Sequence, residues 1–220
     1  YVWLLVLKQY KSFISKIMTD MKTEYLLLTP GPLTTSQTVK EAMLRDWGAR
    51  DISFSEMTAH VRRTIEKIVG IEEDNGSHTC IPIQGSGTFA IEAAIATLVP
   101  QEGKVLVIVN GSYGRRISRI CNYQNRKFIS YETGENIIPS PQDLMSILEA
   151  DNEITDVIVV HCETTSGILN PIAEIAEVVA KAQRRLIIDA MSTFGSIKLN
   201  IKDIQCSTII FSSNKPYVDG

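Results

Sequence analysis

Three runs of unbroken aliphatic residues constrain this chain more than any other feature. Residues 105–109 read Val-Leu-Val-Ile-Val, residues 157–160 read Val-Ile-Val-Val, and residues 186–188 read Leu-Ile-Ile before Asp189. A strand with one wet face alternates apolar and polar residues. A strand that is apolar throughout is covered on both faces, the usual state of a parallel sheet. Further strands are predicted over 79–83, 127–131 and 208–211. Between the strands, helical patterns run over 88–98, 115–123, 141–150 and 172–182. Pro141 suits the first turn of its helix, where its missing N–H costs nothing. Strand and helix in alternation predict an α/β fold, a mostly parallel sheet with helices on both faces.

The residues ahead of the sheet read differently. A short apolar run at 26–28 stops at Thr29-Pro30-Gly31-Pro32, a rigid turn. Thr35 or Ser36 then caps a helix running to about Leu44. Phe54, Met57, Val61, Ile65, Ile68 and Val69 recur at helical spacing, with Gly70 at the end. Residues 1–24 read as a leader of uncertain origin and 25–220 as one α/β domain. Lys8 and Lys11 interrupt the apolar start, which is shorter than the roughly 20 residues a membrane-spanning helix needs.

Composition narrows the partners. Lys plus Arg number 22 and Asp plus Glu 25, so the basic excess of a nucleic-acid surface is missing. Cys80, Cys121, Cys162 and Cys206 form no CxxC pair and read as reduced thiols of a cytoplasmic protein. His60, His78 and His161 show no metal-ligand spacing, so no metal is expected.

In open α/β sheets, ligands bind beyond the carboxyl ends of the strands. Four such ends carry chemistry. Gln84-Gly85-Ser86-Gly87-Thr88 joins a strand to a helix, where backbone amides and the macrodipole favour an anion. The same segment also fits an ordinary turn. It fits a GxGxxA dinucleotide loop as well, although the next strand ends in Asn110-Gly111 rather than the acidic residue that reading wants. Asn110-Gly111-Ser112-Tyr113-Gly114 presents an aromatic ring, either for stacking on a planar ligand or for packing beneath the loop. His161-Cys162-Glu163-Thr164-Thr165-Ser166-Gly167 crowds a histidine, a carboxylate and hydroxyls at one strand end, a ligand site or a plain polar turn. Asp189 closes a buried strand, where its charge needs a partner such as a pyridinium N–H or a structural ion pair. Lys215 closes the next strand, placed either as a surface charge or as an amine that bonds to an aldehyde.

Taken in order, TPGPLT at 29–34, RDWGARD at 45–51, QGSGT at 84–88, NGSYG at 110–114, HCETTSG at 161–167, DAMSTFG at 189–195 and SSNK at 212–215 resemble the class V group of fold type I aminotransferases. The resemblance runs from about Leu26 to Lys215. It implies pyridoxal 5'-phosphate (PLP) as cofactor and residues 25–220 as its large binding domain. Ser86, Gly87 and Thr88 would hold the phosphate, Tyr113 would stack on the pyridine ring, and Thr164 would bond its phenolic oxygen. Asp189 would pair with the ring nitrogen, and Lys215 would be the catalytic lysine bonded to the cofactor. Gly31 would lie on the substrate side. Asn214 and RDWGARD match the branch that transfers the amino group of 2-aminoethylphosphonate to pyruvate, giving phosphonoacetaldehyde and L-alanine. An alanine–glyoxylate or serine–pyruvate activity, or a remnant that binds PLP without turnover, are the alternatives. A homodimer is expected by analogy with the family.

The match stops at Lys215. Pro216-Tyr217-Val218-Asp219-Gly220 replaces the glycine-rich continuation that the resemblance leads one to expect. The expectation is therefore a chain truncated before the small C-terminal domain, inactive or weakly active alone.

Overall fold

The computed structural model describes residues 26, 27, 29, 31–71 and 78–213. The expected leader and Lys215 lie outside them.

Helix α1 (Gln37–Ala42) starts at Ser36, whose side chain accepts a hydrogen bond from the Val39 N–H. Helix α2 (Ile52–Ile68) follows and stops where Gly70 turns left-handed, φ 80°. Helix α3 (Gly87–Leu98) then leads to β1 (Lys104–Val109), α4 (Ser112–Tyr123) and β2 (Lys127–Glu132). Next come α5 (Pro141–Ala150), β3 (Ile154–Val160), the short strands β4 (Cys162–Glu163) and β5 (Ile168–Leu169), and α6 (Ile172–Lys181). Strands β6 (Arg185–Asp189) and β7 (Thr208–Ile210) complete the order.

Five strands form one sheet in the order β2-β1-β3-β6-β7, every pair parallel. Successive side chains of a strand point to opposite faces, and the aliphatic runs therefore feed two cores. Leu106, Ile108, Val157, Val159, Leu186 and Ile188 pack against α5 and α6. Val105, Val107, Val109, Ile158, Val160 and Ile187 pack against α3 and α4. The α/β fold with helices on both faces is the one the aliphatic runs predict.

One predicted strand is not formed. Residues 79–83 have no ladder partner among the described residues. Side chains of α2 take the backbone groups a ladder would use. Arg62 Nε donates to the Cys80 carbonyl at 2.8 Å, and the Cys80 N–H donates to Glu66 Oε1 at 2.8 Å. The β4–β5 hairpin, by contrast, gives no period-2 signal because each strand has two residues.

Candidate active site

The chain leaves β1 for β2 through α4 on one face. It leaves β3 for β6 through α6 on the other. Such a reversal opens a crevice beyond the carboxyl ends of the two central strands. Here Asn110, just after β1, and Asn170, just after β5, are both buried and bond amide to amide at 2.8 Å. Asn170 also donates to the Val160 carbonyl at 2.7 Å.

A cavity of about 170 Å³ lies at this edge. Ser86, Gly87 and Thr88 line it from the start of α3, and Tyr113 lines it from the first turn of α4. Thr164 reaches it from the tip of the β4–β5 hairpin, Asp189 from the end of β6, and Gly31 from the N-terminal turn. Every expected site residue within the described range therefore meets at one place. Ser212, shortly before Lys215 in the chain, lines the cavity too.

Each group is held for a local reason. Ser86 caps α3 by accepting from the Phe89 N–H at 3.2 Å. A Cβ on Gly87 would stand 2.6 Å from Met191 Sδ, so any larger residue there would push the Met191 side chain aside. The first amides of α3 favour an anion. Arg116 adds a positive charge: its Nη1 donates to Thr88 Oγ1 at 3.3 Å, and its guanidinium lies 4.8 Å from the Tyr113 ring centroid. That is cation–π distance.

Asp189 is only 2% exposed. Its Oδ1 accepts from the Met191 N–H at 3.0 Å, and its backbone carbonyl accepts from the His161 N–H at 2.8 Å. His161 is itself buried, with Nδ1 2.8 Å from Thr193 Oγ1, and burial pushes its imidazole pKa down. Burial thus favours the neutral form of this neighbour of Asp189 along the sheet, and the buried Asp189 lines the cavity.

The donor set fits a phosphorylated pyridine aldehyde. An anion cradle with an arginine stands at one side, a flat ring at another, and a buried carboxylate beneath. The carboxylate suits a ring N–H, which relieves the cost of burying its charge.

Arg116, which lines this site, was not singled out from sequence, and Glu163, which supports it, was noted there only as the carboxylate of a crowded strand end. Glu163 is fully buried and accepts from the Tyr113 N–H at 3.0 Å and from Thr165 Oγ1 at 2.6 Å. Arg116 had a findable signal. Helix α4 begins at Ser112 rather than at 115, which places Tyr113 and Arg116 on one face at i, i+3. Gly114 had suggested a loop. It sits inside the helix because a Cβ there would lie 2.9 Å from the Ile108 carbonyl oxygen and from Val109 Cα.

The α/β fold is that of the aminotransferases, and the aminotransferase class-V family matches residues 36–218. The chain belongs to that family, a family of PLP enzymes. It is similar to the 2-aminoethylphosphonate–pyruvate transaminase of Pseudomonas aeruginosa (strain UCBPP-PA14), 51% identical over 198 residues, covering 90% of this chain and 53% of that protein. The enzyme of the same name from Pseudomonas putida (strain W619) is 48% identical over 195 residues, covering 89% and 52%. The chain thus spans about half the length of the curated relatives it matches. Among solved structures, pyridoxamine–pyruvate aminotransferase from Mesorhizobium loti superposes with a TM-score of 0.78 at 27% identity, covering 89% of this chain and 49% of that one. Ureidoglycine–glyoxylate aminotransferase from Bacillus subtilis shares the fold, with a TM-score of 0.77 at 21% identity over 88% and 50%. Among the described residues, no helix is long and apolar enough to cross a membrane.

Proposed function

We propose that this chain is the cofactor-holding part of a PLP-dependent transaminase that moves the amino group of 2-aminoethylphosphonate to pyruvate. The observation that carries this reading is the meeting of Ser86, Gly87, Thr88, Tyr113, Thr164 and Asp189 around one cavity at the strand ends. The choice of amine follows the relatives about 50% identical to the chain.

When bound, PLP supplies an aldehyde that accepts an amine and a protonated ring that draws electrons from the neighbouring carbon. The chain's residues do the rest. The Ser86 and Thr88 hydroxyls and the first amides of α3 hold the phosphate, with Arg116 supplying charge. Tyr113 would supply the flat face for the ring. Thr164 donates to the phenolic oxygen. Asp189 holds the proton on the ring nitrogen. Lys215 would be the amine that holds the aldehyde. Its Nζ would take a proton from the substrate carbon bearing nitrogen and later return one, as base and then acid. Gly31 borders the substrate side. The products are phosphonoacetaldehyde and, from pyruvate, L-alanine. A cytoplasmic homodimer is part of the same reading, by analogy with the family.

The test is a half-reaction. The full chain is loaded with PLP, treated with 2-aminoethylphosphonate, and assayed for phosphonoacetaldehyde and for loss of the visible absorption band, which pyruvate should restore. A response to L-alanine or L-serine with none to the phosphonate would sink the substrate assignment while leaving the cofactor reading in place.

A further inference from the structure

We propose that Glu163 is a positioning residue that sets the Tyr113 ring in register with the hairpin carrying Thr164; this rests on the PLP reading above. Glu163 does not line the cavity, and none of the steps just given uses it. Yet it is a fully buried carboxylate bonded to two of the segments that line the cavity, α4 and the β4–β5 hairpin. Its two oxygens serve two different segments. Oε2 accepts from the Tyr113 N–H at 3.0 Å and the Gly114 N–H at 3.3 Å, both in the first turn of α4. Oε1 accepts from Thr165 Oγ1 at 2.6 Å and the Thr165 N–H at 3.4 Å, in the hairpin. The Ser112 N–H closes the loop by donating to Thr165 Oγ1 at 3.2 Å.

The local sequence of α4 cannot do this job. Its N-cap is Gly111, with no side chain to cap the helix, and its first turn carries no acidic residue. A Cβ on Gly111 would overlap the Glu163 side chain. The cap is therefore supplied from β4, whose next residue is Thr164. A carboxylate is favoured there by the helix N-terminus and by bonds to backbone N–H groups. The start of α4, and with it the ring of Tyr113, is fixed to the strand that delivers Thr164. Gln in place of Glu163 would keep the shape. With its oxygen toward α4 the Gln amide nitrogen can donate to the Thr165 hydroxyl but cannot accept from the Thr165 N–H, and the negative charge that the start of α4 favours is lost.

The experiment is a double-mutant cycle on PLP affinity in the full chain, using Glu163→Gln, Tyr113→Leu and the pair, with absorbance titration as the readout. Glu163→Gln should weaken PLP binding about tenfold in the wild-type background and no more than about twofold in the Tyr113→Leu background. Amide exchange at Tyr113 and Gly114 should quicken in Glu163→Gln while β3 and β6 stay protected. Equal losses in both backgrounds, or unchanged affinity, would overturn the positioning role and leave the cofactor reading standing. No saturable PLP band in the wild-type chain would overturn both. Should Glu163→Gln fail to fold, Glu163→Asp takes its place in the cycle. It keeps the charge but is one methylene too short to reach both segments, so the same non-additivity is expected.

Discussion

The helices ahead of the sheet and the strands within it both carry aliphatic residues, yet they use them in opposite ways. In β1, five consecutive residues from Val105 to Val109 are buried. In α1 and α2 no residue is fully buried; Ile52, at the start of α2, is 77% exposed and Leu44, just after α1, is 84% exposed. Ile65 and Val69, at the end of α2, reach the core. Helical spacing therefore makes α2 legible as a helix, but spacing does not say whether a partner exists to cover its apolar side. A β-strand in the middle of a parallel sheet brings its partners with it, because both faces are packed by the crossover helices.

Substitution tests that contrast directly. Leu106→Ala removes a fully buried side chain from β1 and should cost roughly 3 to 5 kcal/mol in urea unfolding. Leu44→Ala should stay within about 0.5 kcal/mol. Comparable losses at both positions would mean that the N-terminal helices are packed in solution and that the contrast is false.

A smaller but more local effect is expected at Asp189. Asp189→Asn keeps the size and the bond from the Met191 N–H while removing the charge that would face a ring N–H. PLP affinity should fall about tenfold, or about 1.4 kcal/mol, whereas Ile52→Ser in the exposed helix should leave it unchanged. Equal affinity in Asp189→Asn and wild type would place the ring nitrogen elsewhere.

The smallest effect concerns pH. Burial lowers the pKa of His161 below its ordinary 6.5. Between the lowered value and 6.5 the unfolded chain binds the proton and the folded chain does not, so stability rises with pH through that window. The contribution is fully present above about 6.5 and is lost as the pH falls below it. Melting temperatures measured from pH 7.5 downwards should show this slope, and His161→Gln should flatten it. An unchanged slope in the variant would assign it to other groups.

The sheet was readable because aliphatic runs need cover on both faces, and its strand ends carried the cofactor-type residues in order. What stayed hidden depended on contacts distant in sequence. Residues 79–83 look like a strand, but Arg62 and Glu66 occupy the backbone of Cys80. Gly114 looks like a loop until the close approach of α4 to β1 is known. Moving the helix start back to Ser112 is what brings Arg116 beneath Tyr113. Glu163 reads as one polar residue in a crowded turn. Its role follows only from the proximity of Tyr113, 50 residues earlier in the chain.

The central claim is that these strand ends hold PLP with its aldehyde bonded to Lys215. The most direct test is to load the full chain with PLP, reduce with borohydride, digest, and locate the modified lysine by mass spectrometry. The account predicts the label on Lys215, with loss of labelling in Lys215→Ala. Label on a different lysine, or none retained after reduction, would contradict it.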